Sequence, residues 1–272
     1  MEFTPKWSAL AREAAIASQS LSAGLSALRK ANVMQPGIYN YAFFNLSIGM
    51  ERITKLIFLL DWVVETNGSF PLDEKLKSFS HNIQRLFDYA MAIAAKRKLE
   101  LGAHADLYMP ITGPIIKCLS DFGRSSRYYN LDYLSGQSVS EEAEPIRAWF
   151  DGIANLVFEK HYPEAKQKVD RDLAQGFQAA AGHSTWVHFN AEDGTMIDNV
   201  GEMVLHNRKT TVLQKYGTFY AATVVRCLCT VLVKLEPLAQ SKALEDIPDL
   251  HEFFVALRGD DHFLKTRRTF RV

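Results

Sequence analysis

The stretch from Ile38 to Glu65, IYNYAFFNLSIGMERITKLIFLLDWVVE, constrains the fold more than any other part of the chain. It reads as a single helix, about 42 Å long at about 1.5 Å per residue. Its second half, Ile53 to Val64, is apolar nearly all the way round, the pattern of a helix buried on several sides. Glu51, Arg52 and Lys55 nevertheless sit at its middle. Glu51 precedes Lys55 by four residues, the favourable order for an ion pair along a helix. Charges on such a helix must be paired or put to use.

The 272 residues are 47% hydrophobic and 23% charged, with a formal net charge of zero. That is ample material for a core, and the length predicts one or two domains. Zero net charge argues against a broad, sequence-independent grip on nucleic acid and leaves room only for a local basic patch. The longest uninterrupted apolar run of the opening stretch is Leu56 to Leu60, well short of the roughly 20 residues that cross a bilayer. No membrane span is therefore expected. The opening MEFTPKWSALARE lacks a charged-then-apolar signal pattern. Cys118, Cys227 and Cys229 are odd in number and lack a Cys-x-x-Cys spacing, which predicts free thiols in a reducing cytoplasm and no zinc site.

Other segments surround this stretch. Thr4-Pro5 opens a first helix, Trp7 to Ala31, with Leu10, Ala14, Ala17, Leu21, Leu25 and Leu28 on one face. Pro36-Gly37 separates it from the central helix, which ends at Asn67-Gly68-Ser69-Phe70-Pro71. A third helix is expected from Asp73 to Leu99, with Leu76, Phe79, Ile83, Leu86, Phe87, Ala90 and Ile93 as its stripe. Pro110, Gly113, Pro114, Gly123 and Gly136 then predict a long irregular connection, Gly102 to Ser140, holding one short helix near Ile115 to Phe122. Ser140 caps a fourth helix reaching Lys160, and Pro163 opens a fifth that ends near Gly182. Between residues 185 and 198 the pattern becomes that of a β-hairpin around Asp193-Gly194. Helical spacing returns from Glu202 to Leu235, and Pro237 is expected to stop it.

Three segments resemble the HEPN family (higher eukaryotes and prokaryotes nucleotide-binding). One is Gly49-Met-Glu51-Arg-Ile-Thr-Lys55, leading into an apolar run; the second is Ser80-His81-Asn82-Ile-Gln-Arg-Leu86. The third is Ser126-Arg127-Tyr128-Tyr129, followed by the acidic helix start at Ser140-Glu-Glu. The resemblance covers residues 7 to 160. It implies an all-α, up-and-down helical bundle over residues 1–160, and leaves 161–272 as a helical extension carrying the small hairpin. It also implies a prokaryotic toxin–antitoxin or antiviral defence module that binds a nucleotide, an RNA or a partner protein, without membrane or cofactor, as a homodimer.

Many members resemble metal-independent endoribonucleases that use an Arg followed, after four to six residues, by a His. Here Arg97 and His104 have that spacing but straddle the end of the third helix instead of lying on the fourth. The chain is therefore expected to bind without its own nuclease pair. The alternatives are an active endoribonuclease, with Arg127 and His81 as the catalytic residues, and a purely structural interaction scaffold. Glu51, Lys55, Asn82, Arg124 and Tyr128 are the candidate binding residues. An Arg stabilises phosphorane charge, a His moves protons, and a Tyr stacks on a base. The plainer alternative pairs Arg127 with Glu51 and lets the tyrosines cover the end of the bundle. His183, His188 and His206, with Asp193 and Asp198, fit no metal spacing, and no metal is expected. No Gly-rich phosphate loop is present.

Overall fold

The computed structural model describes residues 3–72, 74–75, 81–181 and 185–271. They form an all-α helical bundle with one short β-hairpin. Helix α1 (Pro5–Leu28) starts where the Thr4 hydroxyl accepts the Trp7 amide at 3.0 Å, with Pro5 at a position that needs no amide hydrogen. Its predicted stripe, from Leu10 to Leu28, is buried. Helix α2 (Pro36–Glu65) is the stretch identified above, and Ile53, Leu56, Ile57, Leu60 and Val63 are all at most 2% exposed.

These two helices pack antiparallel and very closely. A Cβ on Gly24 would lie 2.8 Å from the backbone nitrogen of Leu46, and one on Gly49 would lie 2.9 Å from that of Leu21. Only hydrogen fits at either place.

Helix α3 (Ile83–Lys96) is shorter than expected. Asn82 is its N-cap, accepting the Arg85 amide at 3.0 Å, so His81 precedes the helix instead of lying within it. Leu76, Phe79 and Ser80 lie outside the described residues. Helix α3 runs in the same direction as α2: His81 meets Glu51 at the start, and Arg97 meets Asp61 at the end, at 2.7 Å.

The expected irregular connection contains a full helix, α4 (Met109–Arg124), longer than the short one expected near Ile115 to Phe122. Pro110 sits in its first turn, where its missing amide costs nothing, and Pro114 forfeits one internal bond. Burial of Ile111, Ile115, Ile116, Leu119 and Phe122 outweighs that loss. Helix α4 runs antiparallel to α2, with the Ser47 hydroxyl donating to the Leu119 carbonyl at 3.0 Å and Phe122 against Phe43.

After α5 (Tyr129–Leu134), Glu144 caps α6 (Pro145–Trp149). A π-helical turn, Phe150–Ala154, joins α6 to α7 (Asn155–His161), and α8 (Glu164–Ala181) follows. Strands β1 (Phe189–Asn190) and β2 (Met196–Ile197) pair antiparallel around Gly194, whose φ is +83°.

Helix α9 (Val200–Ala243) spans 44 residues and does not stop at Pro237. Leu235 and Ala239, on either side of the proline, are fully buried, so packing carries the helix through. Contrary to the expectation from the Leu56–Leu60 run, α9 is long and apolar enough to cross a membrane, but 89% of its apolar window is buried inside the fold. It lies beside α2 and parallel to it. Glu192 of the hairpin loop, which accepts Tyr39 Oη at 3.0 Å and lies 3.1 Å from His206 Nε2, ties their first halves together. The hydrophobic core thus runs unbroken across residue 160.

A 3₁₀ segment (Leu250–Leu257) and α10 (Asp261–Thr266) close the structure against α1 and α9. The Thr4 hydroxyl donates to Asp246 at 2.8 Å, and the Phe270 amide donates to the Ser26 hydroxyl at 2.8 Å.

Gly49→Ala is expected to destabilise the protein by about 1–3 kcal/mol in urea unfolding, because the new methyl group overpacks the α1–α2 contact. Gly37→Ala, whose Cβ would meet nothing within 4 Å, should leave stability nearly unchanged.

Candidate functional site

A cleft of about 460 Å³ opens beside the middle of α2. Glu51, Arg52 and Lys55 reach it from α2, Glu13 from α1, His81 from the residue ahead of the α3 cap, and Arg127 from the turn after α4. Ile48, Leu56, Ile83 and Phe122 give it an apolar lining. Four of the residues singled out in the sequence, Glu51, Lys55, His81 and Arg127, therefore share one cleft.

The charges are divided unevenly. Glu51 holds two partners: Lys55 Nζ lies 2.6 Å from Oε1, and His81 Nδ1 lies 2.9 Å from Oε2. Burial opposes charge on Glu51, but the hydrogen bonds and positive charge of His81 and Lys55 outweigh it and hold the carboxyl below the usual range. Arg52 pairs with Glu13 across the α1–α2 contact. Arg127 is exposed, with its guanidinium 4.9 Å from the centroid of the exposed Tyr128 ring. Among the described residues no carboxylate pairs with Arg127, so the expected Arg127–Glu51 pair does not form; Glu51 holds Lys55 and His81 instead.

The other candidates lie elsewhere. Asn82 and Arg124 line a broader neighbouring hollow. The Asn82 side-chain oxygen is occupied in capping α3 and accepts the Ser120 hydroxyl at 3.3 Å; Arg124 is held by Asp121 at 2.6 Å. Arg97 and His104 do not act as a pair: Arg97 holds Asp61 and Glu65, whereas His104 Nδ1 lies 2.9 Å from the Thr230 hydroxyl.

Of the three histidines considered as metal ligands, two have partners within the fold. His188 stacks on Trp186, His206 sits against Glu192, and His183 lies outside the described residues. Among the described residues the grouping with metal-ligand proximity is Glu236, Asp249 and His251. The two oxygens of buried Glu236 already accept the His251 amide at 2.7 Å and face its ring Nδ1 at 2.9 Å, so the group reads as a cap on the chain after α9. Burial pushes all three thiols up, Cys118 to about 12 and Cys227 to about 11, which leaves them unreactive.

Sequence reasoning missed Glu13 and Phe44 as members of the cleft. Glu13 flanks the apolar face of α1, and only the close α1–α2 approach brings it to Arg52. Compared with known proteins, the chain matches no family model, no curated protein and no solved structure.

The Glu51 carboxyl titrates below its unfolded value, so its contribution to stability is full above that value and fades as pH falls through the folded one. Glu51→Gln should therefore be less stable than the wild type at neutral pH. The gap should narrow once pH drops below 4.5, the ordinary glutamate value. Urea midpoints measured across this range check it, and a gap independent of pH would show that Glu51 acts through packing alone.

Proposed function

We propose that the cleft beside α2 binds single-stranded RNA, and that the chain is a HEPN-like component of a toxin–antitoxin or antiviral defence module. One observation supports this above the others. The cleft gathers Glu51, Lys55, His81 and Arg127, and among the described residues internal pairing engages every strong charge there but Arg127. A guanidinium free to donate two parallel hydrogen bonds suits a phosphate. The exposed Tyr128 ring beside it offers a stacking face, and Phe44, 46% exposed, offers another on the cleft wall. A local grip of this kind agrees with a chain of zero net charge.

Binding of labelled single-stranded RNA, followed by fluorescence anisotropy, should weaken about tenfold or more in Arg127→Ala, equivalent to about 1.4 kcal/mol. The salt dependence should be shallow, with a log–log slope of about −0.7 for each phosphate engaged. Equal binding by wild type and Arg127→Ala would remove this reading, and binding by a partner protein or a free nucleotide in its place would redirect it.

A second reading, metal-independent RNA cleavage, is favoured by the Glu51–His81 pair. A carboxylate on Nδ1 fixes the imidazole and leaves Nε2 to move protons, while Arg127 meets the phosphorane charge. RNA cleaved in the presence of chelator by the wild type, but not by His81→Ala, supports it. Intact RNA with both proteins leaves binding alone. The resemblance implies a homodimer under either reading, and a monomeric mass in light scattering would count against that dimer.

A further inference from the structure

Helix α9 carries the chain's apolar window, yet one of its stripes is polar. Tyr216, Tyr220, Thr223, Arg226 and Thr230 recur at three- and four-residue steps. A guanidinium on a core helix is costly unless it is held. Arg226 is only 5% exposed; it donates to Asp261 at 2.9 Å and to the Gly259 carbonyl at 3.1 Å, while its Nε has no partner among the described residues. Tyr220, Thr223 and Arg226 line a cleft of about 510 Å³ that shares no lining residue with the cleft beside α2. That size suits a small-molecule site.

The ends of the stripe hold two histidines. His161 stacks on Tyr216 with ring centroids 3.7 Å apart, and its Nε2 lies 2.8 Å from Tyr220 Oη. His104 is held by Thr230, as described above. Both imidazoles are kept neutral. Burial, then the charges of Lys160, Lys265 and Lys215, bring His161 down to about 4; burial, then Arg226 and Arg258, lower His104. The lysines that act on His161 thus create a positive potential at the cleft wall.

Two of those lysines line the cleft, and both rest on aromatic rings. Lys160 Nζ lies 3.2 Å from the centroid of Tyr108, and Lys265 Nζ lies 4.5 Å from that of Phe219. Lys265 also reaches Asp261 at 3.4 Å, but among the described residues no carboxylate pairs with Lys160. Of the acids lining the cleft, Asp261 is bound to Arg226 and Asp260 caps α10 by accepting the Phe263 amide at 2.7 Å. Asp106 remains exposed at the rim. A rim carboxylate repels a bare anion and accepts hydrogen bonds from a ligand that carries donors as well.

We propose that this cleft is a second ligand site, for a small phosphomonoester carrying an aromatic, donor-bearing ring, the class to which nucleoside monophosphates belong. Lys160 and Lys265 take the phosphate, and the movement of Lys160 uncovers the face of Tyr108 for the ring. The site is independent of the RNA proposal, since the two clefts have no side chain in common.

Calorimetric titration of the whole chain with adenosine monophosphate, adenosine and inorganic phosphate tests it. The monophosphate should bind more tightly than either fragment. A Lys160→Ala/Lys265→Ala variant, shown by circular dichroism to be folded, should lose about tenfold or more in affinity, and Arg127→Ala should lose nothing. In histidine-detected NMR, saturation with the monophosphate should raise the His161 pKa above about 4, because a bound dianion offsets the lysines. The site is overturned if the monophosphate gives no heat at millimolar concentration, or if the double variant binds it like the wild type. Inorganic phosphate binding as tightly as the monophosphate would overturn the aromatic half of the assignment.

Discussion

The two missing side chains at Gly24 and Gly49 set the distance between α1 and α2, and much else depends on that distance. With α1 so close, Glu13 comes within reach of Arg52, and Leu21 of α1 and Leu46 of α2 close over the two glycines. Arg52 thus has its own partner, and Glu51 holds Lys55 and His81. Among the described residues neither Glu13 nor Glu51 pairs with Arg127. The packing contact thus gives Arg52 its partner, and Arg127 is the cation of the cleft that has none among the described residues.

The two clefts follow the same physical logic. Each sits where a largely apolar helix carries a few polar residues on one stripe, and each quenches most of its charge internally. Pairing is the cheapest way to keep ionisable groups near a core. It also makes an unpaired cation informative: Arg127 in one cleft and Lys160 in the other are the groups for which the fold supplies no counter-charge among the described residues. Aromatic rings lie beside both, Tyr128 and Tyr108.

Helical periodicity made α1 and α2 legible to within two or three residues at each end, and the Gly194 turn marked the hairpin. What failed was reading by breakers. Pro110, Gly113 and Pro114 looked like a loop and Pro237 like a stop, yet each proline costs about one internal hydrogen bond or none, and the burial around them is larger. The grouping of Glu51, Lys55, His81 and Arg127 was legible only through the order of the three HEPN-like segments; spacing alone placed only Glu51 and Lys55 together. Glu13 and the cleft on α9 were not legible, because they depend on which helices face each other. The polar stripe of α9 was visible in the sequence but hidden by the stronger apolar signal around it.

The ties between α1 and the far end of the described chain bear on how the protein is made. Thr4 bonds to Asp246 and Ser26 to Phe270, partners 242 and 244 positions away in the chain. Contacts of such long sequence separation form late and slowly. During synthesis α1 and α2 can pair with each other as soon as they emerge. The faces that α1 and α2 turn toward α9 and toward residues 246–270 stay uncovered until those residues follow, which at about 5–20 residues per second takes on the order of ten seconds or more. For that interval the nascent chain presents an amphipathic helical hairpin to the cell, a natural substrate for chaperones that shield apolar helices.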